Sequence, residues 1–437
     1  MRSVMGKGAA VLAGLVMPAA AFAGDAAAAS AINSGDTAWI LISTALVMLM
    51  TPGLAMFYGG MVRKKNVLGT IMHSFIAIAL VSVQWVLFGY SLAFGPDVKG
   101  WIGNLDWAGL SGVGVLPNKD YAGTVPHLAF MAYQMMFAVI TPALISGAFA
   151  ERMKFSAYLL FALLWTTLVY DPVCHWVWGT GGWMKQMGVL DFAGGVVVHA
   201  TSGFSALAAA LYIGKRKGFL HEPMPPHDLP LTVLGAGLLW FGWFGFNAGS
   251  ALSSGELAAS SFVTTHIAAV SATLVWTFAE WLHRGKPTMF GAATGAIAGL
   301  ATITPAAGFV GPMPALLIGG AAGLVCYTAL NAKTKFKYDD SLDAFGVHGV
   351  GGTLGTIMAG LFASVAINSN GANGLFFGNP HQLLVQVEAV AIVAAYSFVA
   401  SLVLFNGIDL VIGLRVNKDE ETEGLDITQH GEAGYTH

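Results

Sequence analysis

Long apolar stretches, separated by short polar or charged segments, follow one another along nearly the whole chain of 437 residues. A helix needs about 20 apolar residues to cross the hydrocarbon core of a bilayer. Charge-poor windows of this length predict eleven membrane-spanning helices, at 37–60, 68–94, 126–149, 155–179, 191–213, 231–250, 257–282, 288–305, 309–330, 344–367 and 381–413. The pattern therefore indicates an all-α, polytopic membrane protein.

Composition supports this class, because 56% of the residues are hydrophobic and only 10% are charged, whereas soluble domains carry about 25% charged residues. The net charge of −3 gives no sign of a nucleic-acid partner. Cys174 and Cys326 lie in apolar segments and form neither a disulfide framework nor a metal-binding motif. No arrangement of side chains typical of catalysis or of a phosphate loop is present, so we expect neither an enzyme nor a metal or other cofactor.

The first 23 residues have the pattern of a signal peptide. Arg2 and Lys7 precede an apolar run, and Ala21-Phe22-Ala23 forms a small-x-small cleavage site. Cleavage would place the mature N-terminus outside the cytoplasm, and a retained first helix is the alternative. The remaining chain is predicted to comprise the eleven-helix domain, 24–413, and a tail, 414–437.

Lysine and arginine distribution predicts the orientation. Alternate loops and the tail carry 15 of the 20 basic residues, the other loops carry three, and the signal peptide carries two. Basic loops stay in the cytoplasm, so the C-terminus is predicted to be cytoplasmic. Eleven spans then put the N-terminus outside, in agreement with a cleaved signal peptide.

Two sequence matches indicate an internal repeat. The string ITPA at 140–143 in the third span recurs at 303–306 in the eighth span. His199 in the fifth span is matched by His348 in the tenth. Both offsets are five spans, an odd number, so the second five-helix unit would be inverted in the membrane, with the last helix as an extra. Inverted repeats place the functional site near the midplane, between the repeats.

The matched histidines are the first candidate site. His199 and His348 both lie near the predicted middle of a span, where an ionisable residue is costly and usually faces a pore or a partner. Each could also serve only as a hydrogen bond between helices, which is the interpretation we keep for His73 and His266. Because His199 and His348 recur at matched positions, we predict that they meet inside an apolar conduit.

Aromatic and polar side chains at the predicted outer ends of three spans are the second candidate. They include Phe137, Trp178, Trp243, Phe246 and Ser250. Aromatic faces attract cations, and a hydroxyl oxygen accepts hydrogen bonds. An aromatic belt at the membrane interface is the alternative, although it explains Phe137 poorly, since that residue lies inside its span.

Acidic residues at span starts are the third candidate. The preferred role for Asp191 is to stabilise the start of the helix that follows it. The alternative is that its charge attracts an incoming cation. Asp171 could likewise attract an incoming cation. Asp340 and Asp343 are predicted to cap the tenth span.

The chain closely resembles the ammonium transporter (Amt/Mep/Rh) family, in particular bacterial and archaeal Amt proteins. The matching strings are MAYQMMFAVITPALISGAFAER, DFAGGVVVHATSGFSALAAALYIGKR, WFGWFGFNAGS, LDAFGVHGVGGTLG and EGLDITQHGE. They are specific and extend over essentially the whole mature chain. The resemblance implies the ammonium transporter fold, with two inverted five-helix halves and one extra helix, assembled as a homotrimer in the inner (cytoplasmic) membrane with one pore in each subunit.

The resemblance also implies residue roles. Ammonium would be recruited at Phe137, Trp178 and Ser250, and the rings of Phe137 and Phe246 would close the pore below. His199 and His348 would be the twin pore histidines, with the family's aspartate at Asp191 and further pore or vestibule positions at Trp243 and Thr304. Tyr133 stands where some relatives have phenylalanine. The tail would be a regulatory segment that helps to bind a PII signalling protein.

The resulting hypothesis is that captured ammonium loses a proton and crosses the apolar pore as ammonia, while potassium, which cannot become neutral, is excluded. Three other functions stay open: an ammonium sensor with little flux, a membrane redox protein with haem on the histidines, and a channel for another neutral solute.

Overall fold

The structure, a computed structural model, describes residues 31–435; the predicted signal peptide, 1–23, lies outside the described residues. Long helices dominate this part of the chain. They are α1 (Ser34–Met61), α2 (67–94), α3 (His127–Ile145), α4 (155–178), α5 (Gly195–Ile213), α6 (Leu229–Gly249), α7 (Glu256–Arg284), α8 (Met289–Ile303), α9 (Pro312–Phe336), α10 (Phe345–Phe362) and α11 (Pro380–Ile412). Every predicted span corresponds to one of these helices, so the all-α, multi-pass architecture is confirmed.

The number of spans depends on one short helix. Ten helices in residues 31–435 are long and apolar enough to cross a membrane. Helix α8 has 15 residues and is therefore about 23 Å long, shorter than a typical span. The count of eleven stays a prediction that depends on α8.

The two histidine helices, α5 and α10, share an unusual local structure. Each begins with a widened π-helical turn, Gly195–Ala200 in α5 and Phe345–Gly349 in α10, and each of these turns contains the candidate histidine. Wide turns of this kind are rare and are frequently found at functional sites. Two further wide turns lie inside α2 and α4, at Trp85–Gly89 and Thr166–Tyr170, but only those of α5 and α10 begin a helix and contain a histidine, at positions that an internal repeat would match.

An aspartate eight residues before each histidine stabilises each helix start. Asp340 accepts hydrogen bonds from the backbone N–H groups of Ala344 and Phe345 at 3.1 and 2.8 Å, so the predicted capping role of Asp340 is confirmed. The same prediction for Asp343 is wrong, because its carboxylate pairs with Lys333 of α9.

Helices α5 and α10 cross at glycines, which lets their backbones approach closely. A Cβ atom built on Gly203 would lie 2.1 Å from the Cα atom of Gly349, and one built on Gly352 would lie 2.7 Å from the carbonyl oxygen of Gly195. Gly203 and Gly352 each follow their histidine by four residues, about one helical turn. The crossing therefore sets the distance between the two histidine backbones.

Replacing Gly203 with valine should force the two helices apart. We expect Gly203→Val to lower the free energy of unfolding by about 3 kcal/mol or more, above the usual range for overpacking, and to reduce transport. Thermal unfolding in detergent and transport in proteoliposomes measure both effects. Gly407→Val in α11 is the matched control, since a Cβ there has no neighbour within 4 Å. Equal effects of the two substitutions would contradict the role of the crossing.

The loops of one end of the helix bundle are tied together by buried ion pairs, and this end is called the basic face. Glu151 pairs with Arg63 at 2.8 Å and with Arg216 at 3.2 Å, and Arg216 also pairs with Asp339 at 2.9 Å. Burial alone would raise the pKa of the Glu151 carboxyl, but Arg216 and Arg63 outweigh burial and hold it below its usual value. Four of the basic loops grouped from sequence therefore meet at one end of the molecule.

The tail is folded against the basic face through two short helices, α12 (Lys418–Glu423) and α13 (Leu425–His430). Glu421 accepts a hydrogen bond from the backbone N–H of Lys217 at 2.6 Å, and Asp426 accepts one from that of Gly69 at 2.8 Å. Composition alone would suggest a solvated tail, but these buried carboxylates fix it to the start of α2 and to the loop after α5.

Candidate functional site

His199 and His348 meet in the middle of the helix bundle. Their Nδ1 atoms are 3.2 Å apart, and their rings lie nearly parallel, with centroids 5.2 Å apart. Both residues are buried. A hydrogen bond between two Nδ1 atoms needs one proton, so one ring donates and the other accepts. The meeting predicted from the repeat is thus present.

A narrow and mainly apolar cavity lies beside the histidine pair. Its volume of about 10 Å³ is close to the least that holds one water molecule. The lining consists of the two histidines and large apolar side chains: Met50, Leu54, Phe57, Ile140, Leu144, Val198, Leu239, Trp243, Phe246 and Ile297. A molecule in this cavity would therefore find few hydrogen-bond partners besides the imidazoles.

Two phenylalanine rings close the cavity on the side of the outer pocket. The centroids of Phe137 and Phe246 are 4.3 Å apart, and both residues are buried. Phe137 also meets the indole of Trp178 edge to face, at 5.9 Å, whereas Phe246 lies 6.0 Å from the ring of His199. The order from outside to inside is thus Trp178, Phe137, Phe246 and His199.

The outer pocket opens at the end opposite to the basic face and has a volume of about 340 Å³. Trp178, Asp191 and Ser250 line it, whereas Phe137 and Phe246 do not. None of the residues that line the outer pocket also lines the inner cavity. The phenylalanine pair therefore separates a roomy, partly polar pocket from a small apolar one.

Tyr133 and Ser250 share a hydrogen-bond cluster at the floor of the outer pocket. The Tyr133 hydroxyl lies 2.8 Å from the carbonyl oxygens of both Gly245 and Phe246, and 3.2 Å from the Ser250 hydroxyl. Ser250 donates to the Phe246 carbonyl at 2.9 Å. Since the Ser250 proton is used by the protein, a lone pair of its oxygen stays available to a hydrogen-bond donor in the pocket.

The carboxylate of Asp191 is fully engaged by the start of α5. Its two oxygens accept four hydrogen bonds, at 2.6 to 3.0 Å, from the backbone N–H groups of Gly194, Gly195, Val196 and Val197. The Asp191 carbonyl in turn accepts a hydrogen bond from the Trp178 indole N–H at 2.8 Å. The structure therefore favours the helix-start role and adds a second one, the positioning of Trp178.

Trp243 and Thr304 form a pair beside the histidines. The Trp243 indole N–H donates to the Thr304 hydroxyl at 2.9 Å, and the indole lies 5.5 Å from the ring of His199. Trp243 lines the inner cavity, but Thr304 does not. Thr304 therefore acts on the cavity through Trp243.

Asp171 does not line either cavity. It is buried between α2 and α4, where it accepts a hydrogen bond from the Gln84 amide at 2.7 Å. Its alternative role as an attractor of cations in the outer pocket is therefore not supported by its position.

Sequence reasoning missed two features of the site. One is the pairing of each histidine with an aspartate eight residues earlier, a spacing that is visible in the sequence. The other is the placement of Tyr121 and Lys185 in the outer pocket. No local sequence pattern predicts it, because the two residues lie in segments that are far apart in the chain.

Comparison with known protein families decides the identity of the chain. Residues 38–435 match the model of the Ammonium Transporter Family. The chain belongs to the ammonium transporter family. It is 54% identical to an ammonium transporter of Bacillus subtilis over 405 residues, which cover 92% of this chain and 99% of the relative. It is also 50% identical to the ammonium transporter Amt1 of Archaeoglobus fulgidus, over 93% of this chain and 100% of that protein.

Solved structures show the same fold. The crystal structure of Mep2 from Saccharomyces cerevisiae superposes with a TM-score of 0.85 at 35% identity and covers 91% of both chains. A structure described as a sensor Amt protein superposes with a TM-score of 0.83 at 29% identity, over 91% of this chain and 98% of the other. The ammonium transporter fold expected from the resemblance is thus confirmed.

Proposed function

We propose that the protein transports ammonium across the cytoplasmic membrane, and that ammonia passes through the apolar cavity beside His199 and His348. One observation carries the proposal: a hydrogen-bonded histidine pair lies in a small apolar cavity, separated by two contacting phenylalanine rings from a pocket suited to a cation. The family membership supports ammonium as the substrate.

Recruitment takes place at Trp178 and Ser250, which line the outer pocket, and at Phe137, whose ring meets that of Trp178 just below it. An aromatic face attracts a desolvated cation by about 2 kcal/mol or more, and Trp178 is held in place by its hydrogen bond to Asp191. The Ser250 oxygen accepts from an N–H bond, because its own proton is used by the Phe246 carbonyl. An N–H donor therefore gains a hydrogen bond that potassium, which has no proton, cannot make.

Selection follows from the cost of desolvation. Moving an ion into a low-dielectric interior has an idealised cost of order 20 kcal/mol, and the inner cavity has little polar surface to offset it. Ammonium avoids this cost by leaving its proton behind, since ammonia is neutral. Potassium has no such route, so the Phe137–Phe246 pair and the cavity below it exclude potassium.

The histidines give ammonia its polar contacts along the passage. Because one Nδ1 donates and the other accepts, the pair stays ordered without a net charge, and two adjacent imidazolium ions would repel each other. Within residues 31–435, the Nε2 atom of His199 is buried without a hydrogen-bond partner. This nitrogen is free to bond to ammonia or to relay a proton.

The remaining features follow from the resemblance and the charge pattern. We propose a homotrimer in the inner membrane, with a cleaved signal peptide at 1–23, the mature N-terminus outside and the tail, 414–437, in the cytoplasm. The basic face would then be cytoplasmic. The docked α12 and α13 support a regulatory tail, since a PII signalling protein bound there would act on loops of several helices at once.

Replacing Trp178 should weaken recruitment. We expect Trp178→Leu to raise the concentration of ammonium at half-maximal transport by about tenfold or more, because a cation–π contact of about 2 kcal/mol is lost. Concentration series of transport in proteoliposomes measure the effect. Trp101→Leu removes an indole that is exposed outside the pocket and should change little; an equal change in both variants would contradict the recruitment role of Trp178.

Uptake of labelled methylammonium by proteoliposomes, with unlabelled ammonium as competitor, tests the proposed function. Saturable uptake that ammonium inhibits supports transport. Binding of methylammonium without uptake would favour the sensor function, and uptake of another neutral solute without ammonium competition would favour a different channel. Haem is disfavoured by the geometry, since the cavity beside the histidines, with a volume of about 10 Å³, is far too small for a porphyrin.

A further inference from the structure

We propose that the outer pocket contains a second binding position for ammonium, nearer to solvent than Ser250, and that the ammonium group of Lys185 occupies it as a tethered competitor. This proposal rests on the proposed function. Its basis is the position of Lys185, a cation that lines the pocket where a cation has to enter.

The surroundings of the Lys185 ammonium group are those that a free ammonium ion would seek. Its Nζ atom donates to the carbonyl oxygen of Trp178 at 3.2 Å and lies 5.8 Å from the ring centroid of Tyr121. A carbonyl acceptor and an aromatic face within about 6 Å are together the recognition elements of an alkylammonium ion. Asp120 lines the same pocket and attracts this cation electrostatically.

The ring of Tyr121, which supplies the aromatic face, is held in one orientation by its neighbours. The Tyr121 hydroxyl donates to the Phe94 carbonyl at 2.6 Å and accepts from the Thr180 backbone N–H at 3.1 Å. Its ring stacks on Phe130, with centroids 5.0 Å apart and an angle of 15° between the planes. One face of Tyr121 is therefore covered, and the orientation of the ring is fixed.

Lys185 itself is poorly suited to a purely structural role. It is exposed and sits in a single helical turn, Trp183–Gln186, with a glycine before it at 182 and another after it at 188. A long, exposed lysine side chain leaves such a position at little cost. The side chain can therefore yield the position to a free ammonium ion and return after the ion has moved inward.

Two consequences follow. Lys185 lowers the affinity of the pocket, because its charge repels a second cation and its ammonium group competes for the same partners. It also sets the range of ammonium concentration over which transport rises, since the competitor is always present at the same effective concentration. Removal of its charge should thus improve affinity without changing the passage beyond Phe137.

The test is a comparison of concentration series for methylammonium uptake by proteoliposomes. We expect Lys185→Gln to lower KM by about threefold to tenfold, as expected for the loss of one like charge near a partly solvated site, with kcat nearly unchanged. Lys119→Gln is the matched control, because Lys119 carries the same charge near the pocket but, unlike its neighbours Asp120 and Tyr121, does not line it. Adding Tyr121→Leu to Lys185→Gln should cancel the gain, since it removes the aromatic face.

An unchanged KM in Lys185→Gln, or an equal fall in Lys119→Gln, would overturn the proposal. So would a fall in KM that persists in the double variant with Tyr121→Leu, because Lys185 would then act only through the general electrostatic field of its charge. If the wild-type protein takes up no methylammonium, the proposed function fails instead. Equilibrium binding of methylammonium to the same variants then decides whether Lys185 competes for the pocket.

Discussion

The variant His199→Ala should lose selective transport: we expect the ratio of ammonium to potassium flux to fall by at least about tenfold, equivalent to about 1.4 kcal/mol. Two changes act together. The Nδ1 atom of His348 loses its partner, and an unpaired buried polar group costs about 1–3 kcal/mol. The lost ring also widens a cavity that now has a volume of about 10 Å³, so water and hydrated ions gain access.

The measurement is flux of both ions into proteoliposomes, with His348→Ala analysed in parallel. His266→Ala is the matched control, since His266 lies on α7 beside Trp240 and Phe244, away from the cavity. Full ammonium flux with intact potassium exclusion in either pore variant would show that the pair is not part of the passage.

The second large effect is expected at Asp191. Asp191→Ala removes the acceptor of four backbone N–H groups at the start of α5. We expect a loss of about 3 kcal/mol or more in the free energy of unfolding, because water replaces these acceptors only in part. Transport should also fall, since Trp178 and His199 are both positioned by this helix start.

Thermal unfolding in detergent separates the helix-start role of Asp191 from an electrostatic one. Asp191→Asn removes the charge but keeps one acceptor oxygen, so its stability should lie between those of the wild type and Asp191→Ala. If Asp191→Ala were as stable as the wild type and only its affinity for ammonium were lower, the carboxylate would act through its field instead.

Much of the architecture was predictable because hydrophobic length alone defines membrane helices. The same rule leaves the count open at α8, since Pro305, Gly308, Gly311 and Pro312 shorten an otherwise continuous apolar region. The grouping of the basic loops at one face was also predictable, because each span reverses the direction of the chain.

The meeting of the histidines was predictable because depth and repeat offset both pointed to it. The order of Trp178, Phe137 and Phe246 above the histidines was accessible only through the family resemblance, since three separate helices supply these side chains. The saturation of Asp191 by backbone donors and the pairing of Asp343 with Lys333 depend on loop geometry. A hydrophobic pattern carries no information about such contacts.

The central claim is that ammonium, and not potassium, crosses this protein by way of the histidine-lined cavity. The most direct test is a concentration jump of ammonium across proteoliposomes, with current and internal pH recorded together and potassium as the control. The account predicts a current or an internal alkalinisation with ammonium and no signal with potassium. A current shows that the proton crosses too, and alkalinisation alone shows that ammonia passes unaccompanied. The absence of both signals with ammonium, or an equal current with potassium, would contradict the account.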